Sequence, residues 1–582
     1  MPIIRIPFKR TLAALLLMTP LAPAIAAFDA GAQLQRLQRE SRAAQPSRID
    51  PTPSALPEGP SGAAALASDA SIFVSAFEIH GVTRFDSATV EASLAPFTNT
   101  TLNTAAIHRA ADRLMRLYRD AGYFAATVYI PPQDIDNGVL RLDVYEGALE
   151  KDGIEIDNRG QNVRSEVVGE ILAHHLAGKY PIHRDDYERA LLITEDLPGI
   201  HTASLLYPGE RVGAARLRTR VEDSPRWTGN VDVDNFGNEH TGRWRLGTTL
   251  YRNSPTGAGD QAVARLVTAG SGSNYAYLTY LRPISPSGTR IGASADILSY
   301  RINSIANLGD AEGKASDIQF YLTHPIIRSR HSNLHFRGQL SHLKLDDSND
   351  LNVDSHRTVN SLTLSIDGDE DHDWLANGLT LYRTAVTFGH TEVRGNSSFR
   401  TLDQAGADIE GDFARLNVLV SRLQHITGPW SVFAQLRGQL ASSNLDSSQQ
   451  FYLGGPTSVA GYPVGEVGGD EGAELHTEVR YVIDAPPWGG QLQASLFYQI
   501  GHIRVHDAPY PGWQGNNARL SNEFTLRSAG ISLTQSLGQD WLVRALVGWQ
   551  FGANPAEDPI SGEDSDDSDA NHRAWVQVVR YF

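Results

Sequence analysis

The chain has 582 residues, a formal net charge of −17 and no cysteine. Its length leaves room for three or four domains. The acidic balance argues against a general nucleic-acid binder, which needs clustered Lys and Arg to neutralise phosphates. The missing thiols exclude disulfides, zinc–thiolate centres and cysteine catalysis.

The first 27 residues read as a secretory signal peptide. Arg5, Lys9 and Arg10 precede the apolar run TLAALLLMTPLAPAIA, and small residues lead up to Phe28. Pro20 and Pro23 cut the apolar helix below the roughly 20 residues that span a bilayer. Residues 28–44, FDAGAQLQRLQRESRAA, predict a polar helix on which Leu34 and Leu37 form only a thin apolar stripe. Such a helix lies in water or lines an aqueous space. Residues 45–72, rich in Pro, predict a linker.

Two similar modules follow. In the first (73–147), FVSAFEIHGV reads as a strand, and DSATVEASLAPF and NTAAIHRAADRLMRLYRDAG as helices. Ile107, Ala111, Leu114 and Leu117/Tyr118 recur at helical spacing and Gly122 stops the second helix. YFAATVYIP and GVLRLDVYEG close the module as strands. The second (148–223) repeats the order: IEIDN, then VRSEVVGEILAHHL and RDDYERALLITEDL, then GIHTASLLYP and GAARLRTRVED. Two β-α-α-β-β units in succession mark a duplicated module. The strand at 124–131 predicts a sheet edge. Its free N–H and C=O groups at Thr127, Val128, Tyr129 and Ile130 could pair with an incoming extended chain.

From residue 224 to 582 the pattern changes to alternation. Trp227, Val231 and Val233 share one face of a strand, and Asn230, Asp232 and Asp234 the other. Leu334, Phe336 and Leu340 stand opposite His335, Arg337 and Gln339. Trp541, Val543, Ala545, Val547 and Trp549 alternate with Arg544, Gly548 and Gln550. About sixteen such segments, apolar on one face and polar on the other, predict a closed antiparallel transmembrane barrel with an aqueous lumen.

One stretch fits neither strand nor helix. FYLGGPTSVAGYPVGEVGGDEGA, at about 452–472, is a long glycine-rich loop set before the strand AELHTEVRYVI. No G-x-S-x-G, H-E-x-x-H or P-loop occurs in the chain. His174 and His175 are adjacent, so a helix points them apart and no metal site is expected there. The acidic run GEDSDDSD (562–569) lacks the Gly and Glu placement of a calcium loop and reads as a solvated charge run. No cofactor, metal or enzyme activity is expected.

This order of parts resembles the two-partner secretion transporter family (TpsB; ShlB/FhaC/HecB-like), a branch of the Omp85 superfamily, with the modules resembling POTRA domains. VDVDNFGNEHTG resembles the family's first barrel strand and turn, and YLTHPIIRSRHSNLHFRGQLSHLKLDD its central hairpin. The glycine-rich stretch resembles loop 6, which the family folds back into the lumen. The resemblance implies a tip at Val459, Ala460, Gly461 and Tyr462, with Asp470 and Gly472 downstream. It implies an inner-wall partner in LFYQIG, at Phe497, Gln499 and Gly501. The family's tip Arg is Ala460 here, and its wall Asp is Gln499. Both members of an ion pair have changed together, which avoids leaving one charge buried alone.

The function implied is an outer-membrane pore that exports one large partner exoprotein, bound in the periplasm by the modules. The helix at 28–44 would plug the lumen. Membrane lipid and the barrel-assembly machinery are the other implied partners, nucleic acid is not one, and the protein would be a monomer. An assembly factor of the same superfamily, a diffusion porin and an outer-membrane enzyme are the alternatives.

Overall fold

The computed structural model describes residues 29–43 and 71–582, apart from 136, 306–308, 351–353, 372–376, 485, 488, 515–520 and 559–560. The expected signal peptide and nearly all of the expected linker lie outside the described residues. Ser71 and Ile72, at the linker's end, already belong to a strand.

The two modules share one wiring. In the first, the last strand, Val139–Tyr145, is central. It runs parallel to Ala76–His80 and antiparallel to Thr127–Tyr129. In the second, Ala214–Asp223 is central between parallel Ala148–Asn158 and antiparallel Ile200–Pro208. The strand expected at FVSAFEIHGV is broken at Ser75. Its first half, Ser71–Val74, leaves the sheet to pair with Thr100–Asn103.

Local chemistry sets the helices. Asn103 caps Thr104–Asp120 by accepting from the Ala106 amide at 2.9 Å. That helix buries Ala106, Ala110, Ala111, Leu114 and Tyr118, one face at a spacing of three and four. Ile107 and Leu117, also expected on this face, are only partly buried. Glu146, at the junction of the modules, is fully buried. It accepts from the Thr83 and Arg84 amides, the Thr83 hydroxyl and the Tyr118 hydroxyl. Burial pushes its carboxyl up, but the bonds from Thr83 and its neighbours prevail and hold it below the usual range.

Sixteen of the remaining strands form one closed antiparallel barrel, from Trp227–Asp234 to His572–Tyr581. The alternation follows the sequence: Val231 is 39 % and Val233 43 % exposed on the outer face, whereas Asn230, Asp232 and Asp234 are buried within. The closing seam is short. Asn230–Asp234 pairs with Gln577–Tyr581, whereas neighbouring strands such as Glu471–Asp484 and Gln491–Arg504 pair along their whole length. Beyond Asp234 the Asn235 side chain extends the seam, donating to the Ala574 carbonyl at 2.9 Å and accepting from the Val576 amide at 2.7 Å.

The second module sits against the barrel. Asp196, at the end of helix Arg184–Glu195, takes two bonds from the Arg328 guanidinium at 2.8 and 2.9 Å. Arg189 donates to the Pro325 carbonyl at 2.6 Å. Gly259, at φ +72°, lies under Leu197, where a Cβ would come within 2.5 Å of a methyl carbon. A side chain there would lift the module off the barrel.

Candidate functional site in the barrel lumen

The chain between strands Trp430–Ala441 and Glu471–Asp484 folds into the lumen. Its base is a small hairpin, Phe451–Leu453 paired with Val467–Gly469. Asp470 ties the base down, accepting from the Leu445 and Asp507 main-chain N–H groups at 3.0 and 2.9 Å and from the Gln450 side-chain Nε2 at 3.2 Å. Gly472, expected within the loop, is the second residue of the following strand. The ring of Phe451 lies 2.6 Å from where its Cβ would be.

The tip is gripped by its main chain. The Ala460 amide donates to Gln499 Oε1 at 2.8 Å, and the Ala460 carbonyl accepts from the Trp575 indole N–H at 2.9 Å. Positions 460 and 499 thus face each other, through a peptide group where the family pattern has an ion pair. Gly461 leaves no room for a side chain: a Cβ would stand 2.9 Å from the Gln550 nitrogen and the Trp549 carbonyl carbon. Tyr462 is fully buried, packed with Val459, Phe451, Leu453, Ile503 and Leu526. Phe497 joins a second apolar cluster with Ala460, Val464, Phe236, Leu546 and Trp575. Gly501 makes space for Leu453, whose methyl carbon would be 2.6 Å from a Cβ.

Several residues of this site escaped the sequence reading. Trp575, His476 and Ser528 all point inward by strand parity, but parity alone does not say which inward residues meet the loop. Arg437 pairs with Glu474 and donates to Ser458 at 2.9 Å. The acidic run is a correction. Asp564 is buried and bonded to Arg573 at 2.8 Å, and Asn554 donates to both Asp564 and the loop carboxylate Glu466. Ser565 also donates to Glu466, at 2.6 Å. The run therefore clamps the glycine-rich loop rather than standing free in solvent, because Arg573 and Asn554 supply the donors a buried carboxylate requires.

The helix Ala30–Ala43 also lies in the lumen, bound at both ends. Asp29 accepts from the Ala32 amide at 2.8 Å as its cap, and from Arg357 at 3.2 Å. Arg357 reaches Asp347 at 2.6 Å and Asp446 at 2.7 Å as well, joining helix, wall and loop. At the other end Glu40 meets Arg245 at 2.9 Å, itself paired with Asp234 at 2.8 Å. Between them Gln35 donates to the Gln450 carbonyl and Gln38 to Asp317. The thin stripe is not left in water: Ala30, Leu34 and Leu37 bury against an apolar patch of the inner wall that includes Val267, Tyr275 and Leu298.

The docking edge is shorter than expected. Only Thr127–Tyr129 forms the strand, at the outside of its sheet, and Ile130 lies beyond it. Gln133 continues the pairing by side chain, accepting from the Arg141 amide at 2.7 Å. Tyr129 is 46 % exposed. Among the described residues no group of His, Asp and Glu has metal-binding geometry, and no helix is long and apolar enough to cross a membrane.

A sixteen-strand barrel with an inward-folded loop, a lumenal helix and two α+β modules defines the class of POTRA-bearing barrels. The family model described as "POTRA domain, ShlB-type" matches residues 72–147, and that described as "Haemolysin secretion/activation protein ShlB/FhaC/HecB" matches 213–519. The chain belongs to the ShlB/FhaC/HecB haemolysin secretion/activation family. It is 26% identical over 475 residues to the heme/hemopexin transporter protein HuxB of Haemophilus influenzae (strain 86-028NP), covering 81% of this chain and 80% of that one. It is 24% identical over 541 residues to the outer membrane transporter CdiB of Escherichia coli O6:K15:H31, covering 87% and 85%. Among solved structures, CdiB from Escherichia coli superposes with a TM-score of 0.70 at 22% identity, covering 97% of this chain and 100% of that one.

Proposed function

We infer that this protein is an outer-membrane pore that recognises a large partner exoprotein and translocates it by two-partner secretion. The observation that carries the reading is a lumen filled by removable parts. Inside the lumen the helix and the glycine-rich loop meet the wall through ion pairs, hydrogen bonds and apolar packing, not through strand pairing with the barrel. A passage closed in this way can be opened without unmaking the barrel. Relatives named as transporters of heme/hemopexin and of hemolysin support the cargo class, an adhesin- or haemolysin-type exoprotein.

In this reading the modules stand in the periplasm. The partner docks as an added strand on Thr127, Val128 and Tyr129, with Ile130 just beyond, and then threads the barrel as helix 30–43 leaves it. Val459, Ala460, Gly461 and Tyr462 form the tip that the wall residues Phe497, Gln499 and Gly501 receive, and Asp470 and Gly472 fix its base. No bond is made or broken in the cargo.

The test is secretion of a candidate large exoprotein from the same genome, in a Gram-negative host without its own two-partner systems. The exoprotein should reach the medium only when this chain is present. Retention in the periplasm despite an inserted barrel would overturn the reading. A broad fall in other barrel proteins on removing this chain would favour the assembly alternative.

A further inference from the structure

We propose that His476 is a positioning residue for the loop tip, acting through Gln499. The proposal rests on the reading above only for its consequence in secretion; the geometry stands apart from it. Gln499 Oε1 accepts from the Ala460 amide at 2.8 Å and from the Ser528 hydroxyl at 2.9 Å. Its Nε2 lies 2.7 Å from His476 Nδ1, and His476 Nε2 lies 2.6 Å from Glu478.

Donor and acceptor chemistry allows one assignment of this chain. A backbone N–H needs an acceptor, so Gln499 must present oxygen to Ala460 and nitrogen to His476. Nδ1 must then accept, which leaves the proton on Nε2, where the Glu478 carboxylate receives it. A glutamine at this site has no orientation of its own, because its two ends are nearly the same shape. The Ala460 N–H at one end and the neutral imidazole at the other supply the orientation together. A protonated imidazole carries N–H on both nitrogens and would face the Gln499 amide group donor to donor. Turning Gln499 over would relieve that contact and break the bond to Ala460.

The surroundings hold the ring in place. It stacks on Phe497 with centroids 6.1 Å apart and meets the Phe433 ring edge-on at 5.9 Å. The charged groups around it are Glu478 and Arg480 on its own strand, 2.7 Å apart, and Arg544 from strand Trp541–Gln550, which faces both. One step back along the strand, Glu474 is already engaged by Arg437 and Ser458.

Hydrogen exchange at residues 458–463 reads the Ala460 bond directly. In the full-length protein in liposomes, with rates corrected for intrinsic pH dependence, protection should be roughly ten-fold greater at about pH 8 than at about pH 5, the loss of one hydrogen bond. Gln499→Asp should reverse the order, because a carboxylate accepts from both Ala460 and a protonated imidazole. His476→Phe keeps the stacking and should make protection independent of pH. Each comparison is made within one protein, so a weakly folded variant does not decide the result. Equal protection at both pH values in the unaltered protein, or an unreversed order in Gln499→Asp, overturns the proposal. Secretion is measured separately. If exchange behaves as stated and secretion does not follow it, His476 still positions the tip and the tip's part in translocation is what fails.

Discussion

Arg357 holds Asp29 at 3.2 Å and so fastens the first turn of the lumenal helix to the barrel wall. The same guanidinium serves Asp347 and Asp446, so three carboxylates depend on one cation. Removing one side of such a network leaves buried charge uncompensated, at a cost of about 3–5 kcal/mol. Arg357→Gln should therefore release the helix's N-terminal end. Single-channel recordings in planar bilayers should show larger or more frequent openings, approaching those of a chain lacking 28–44. If neither variant conducts differently from the parent, the helix is not a plug.

Trp575 gives the loop tip its second bond. Trp575→Phe keeps an aromatic ring in the cluster with Phe236 but removes the indole N–H from the Ala460 carbonyl. One hydrogen bond contributes about 0.5–1.5 kcal/mol, so proteolytic cleavage within the loop should rise several-fold with the barrel still resistant to mild heat in detergent gels. Gly461→Ala should act more strongly, because the added methyl meets backbone atoms of strand Trp541–Gln550 that cannot move aside.

Tyr129 tests the docking edge. It is exposed at the outer strand of the first module, away from the core. Tyr129→Asp should leave the module folded and place a charge where an added strand would lie. Affinity of the full chain for the N-terminal region of its partner should fall by up to about five-fold, for a cross-strand contact of roughly 0.2–1 kcal/mol. Unchanged affinity in a calorimetric titration would move the docking surface elsewhere.

His175 makes the second module sensitive to acid. Burial holds its imidazole down to about 4, from an ordinary value of 6.5. The unfolded chain then binds the proton that the folded one refuses. The stability is fully present above about pH 6.5 and is lost as the pH falls toward 4. The loss is of the order of 2–3 kcal/mol. Hydrogen exchange of helix Ser165–Leu176 should quicken across that window, and His175→Gln should remove the dependence.

Strand alternation made the barrel legible, because the two-residue period places Val231 and Asp232 on opposite sides of a single wall. The module order was legible for the same reason, through caps and helical spacing. What the sequence withheld was partnership across the lumen. Arg357 and Asp29 lie far apart in the chain, and nothing in either local pattern pairs them. The run at 562–569 misled because a dense acidic stretch ordinarily lies in water. Here Arg573 and Asn554, from the two ends of the same connection between strands Trp541–Gln550 and His572–Tyr581, supply the donors. Ala460 and Gln499 read as an ion pair replaced at both members. The structure shows a peptide group taking up Gln499 instead, which side-chain patterns cannot disclose.

The seam between Asn230–Asp234 and Gln577–Tyr581 has a mechanical consequence. A cylinder under hoop tension parts along its shortest row of fasteners, and this row is continued by Asn235 at one end and by the Gly229–Phe582 backbone pair at the other. Trp575 belongs to one lip of that join and Phe236 follows the other, and both press on the loop tip. The tip thus works as a rivet driven from inside the tube. Pulling it out would free the passage and weaken the wall at its weakest line in one stroke, so a cargo that dislodges the loop would enter a barrel whose girth is least restrained.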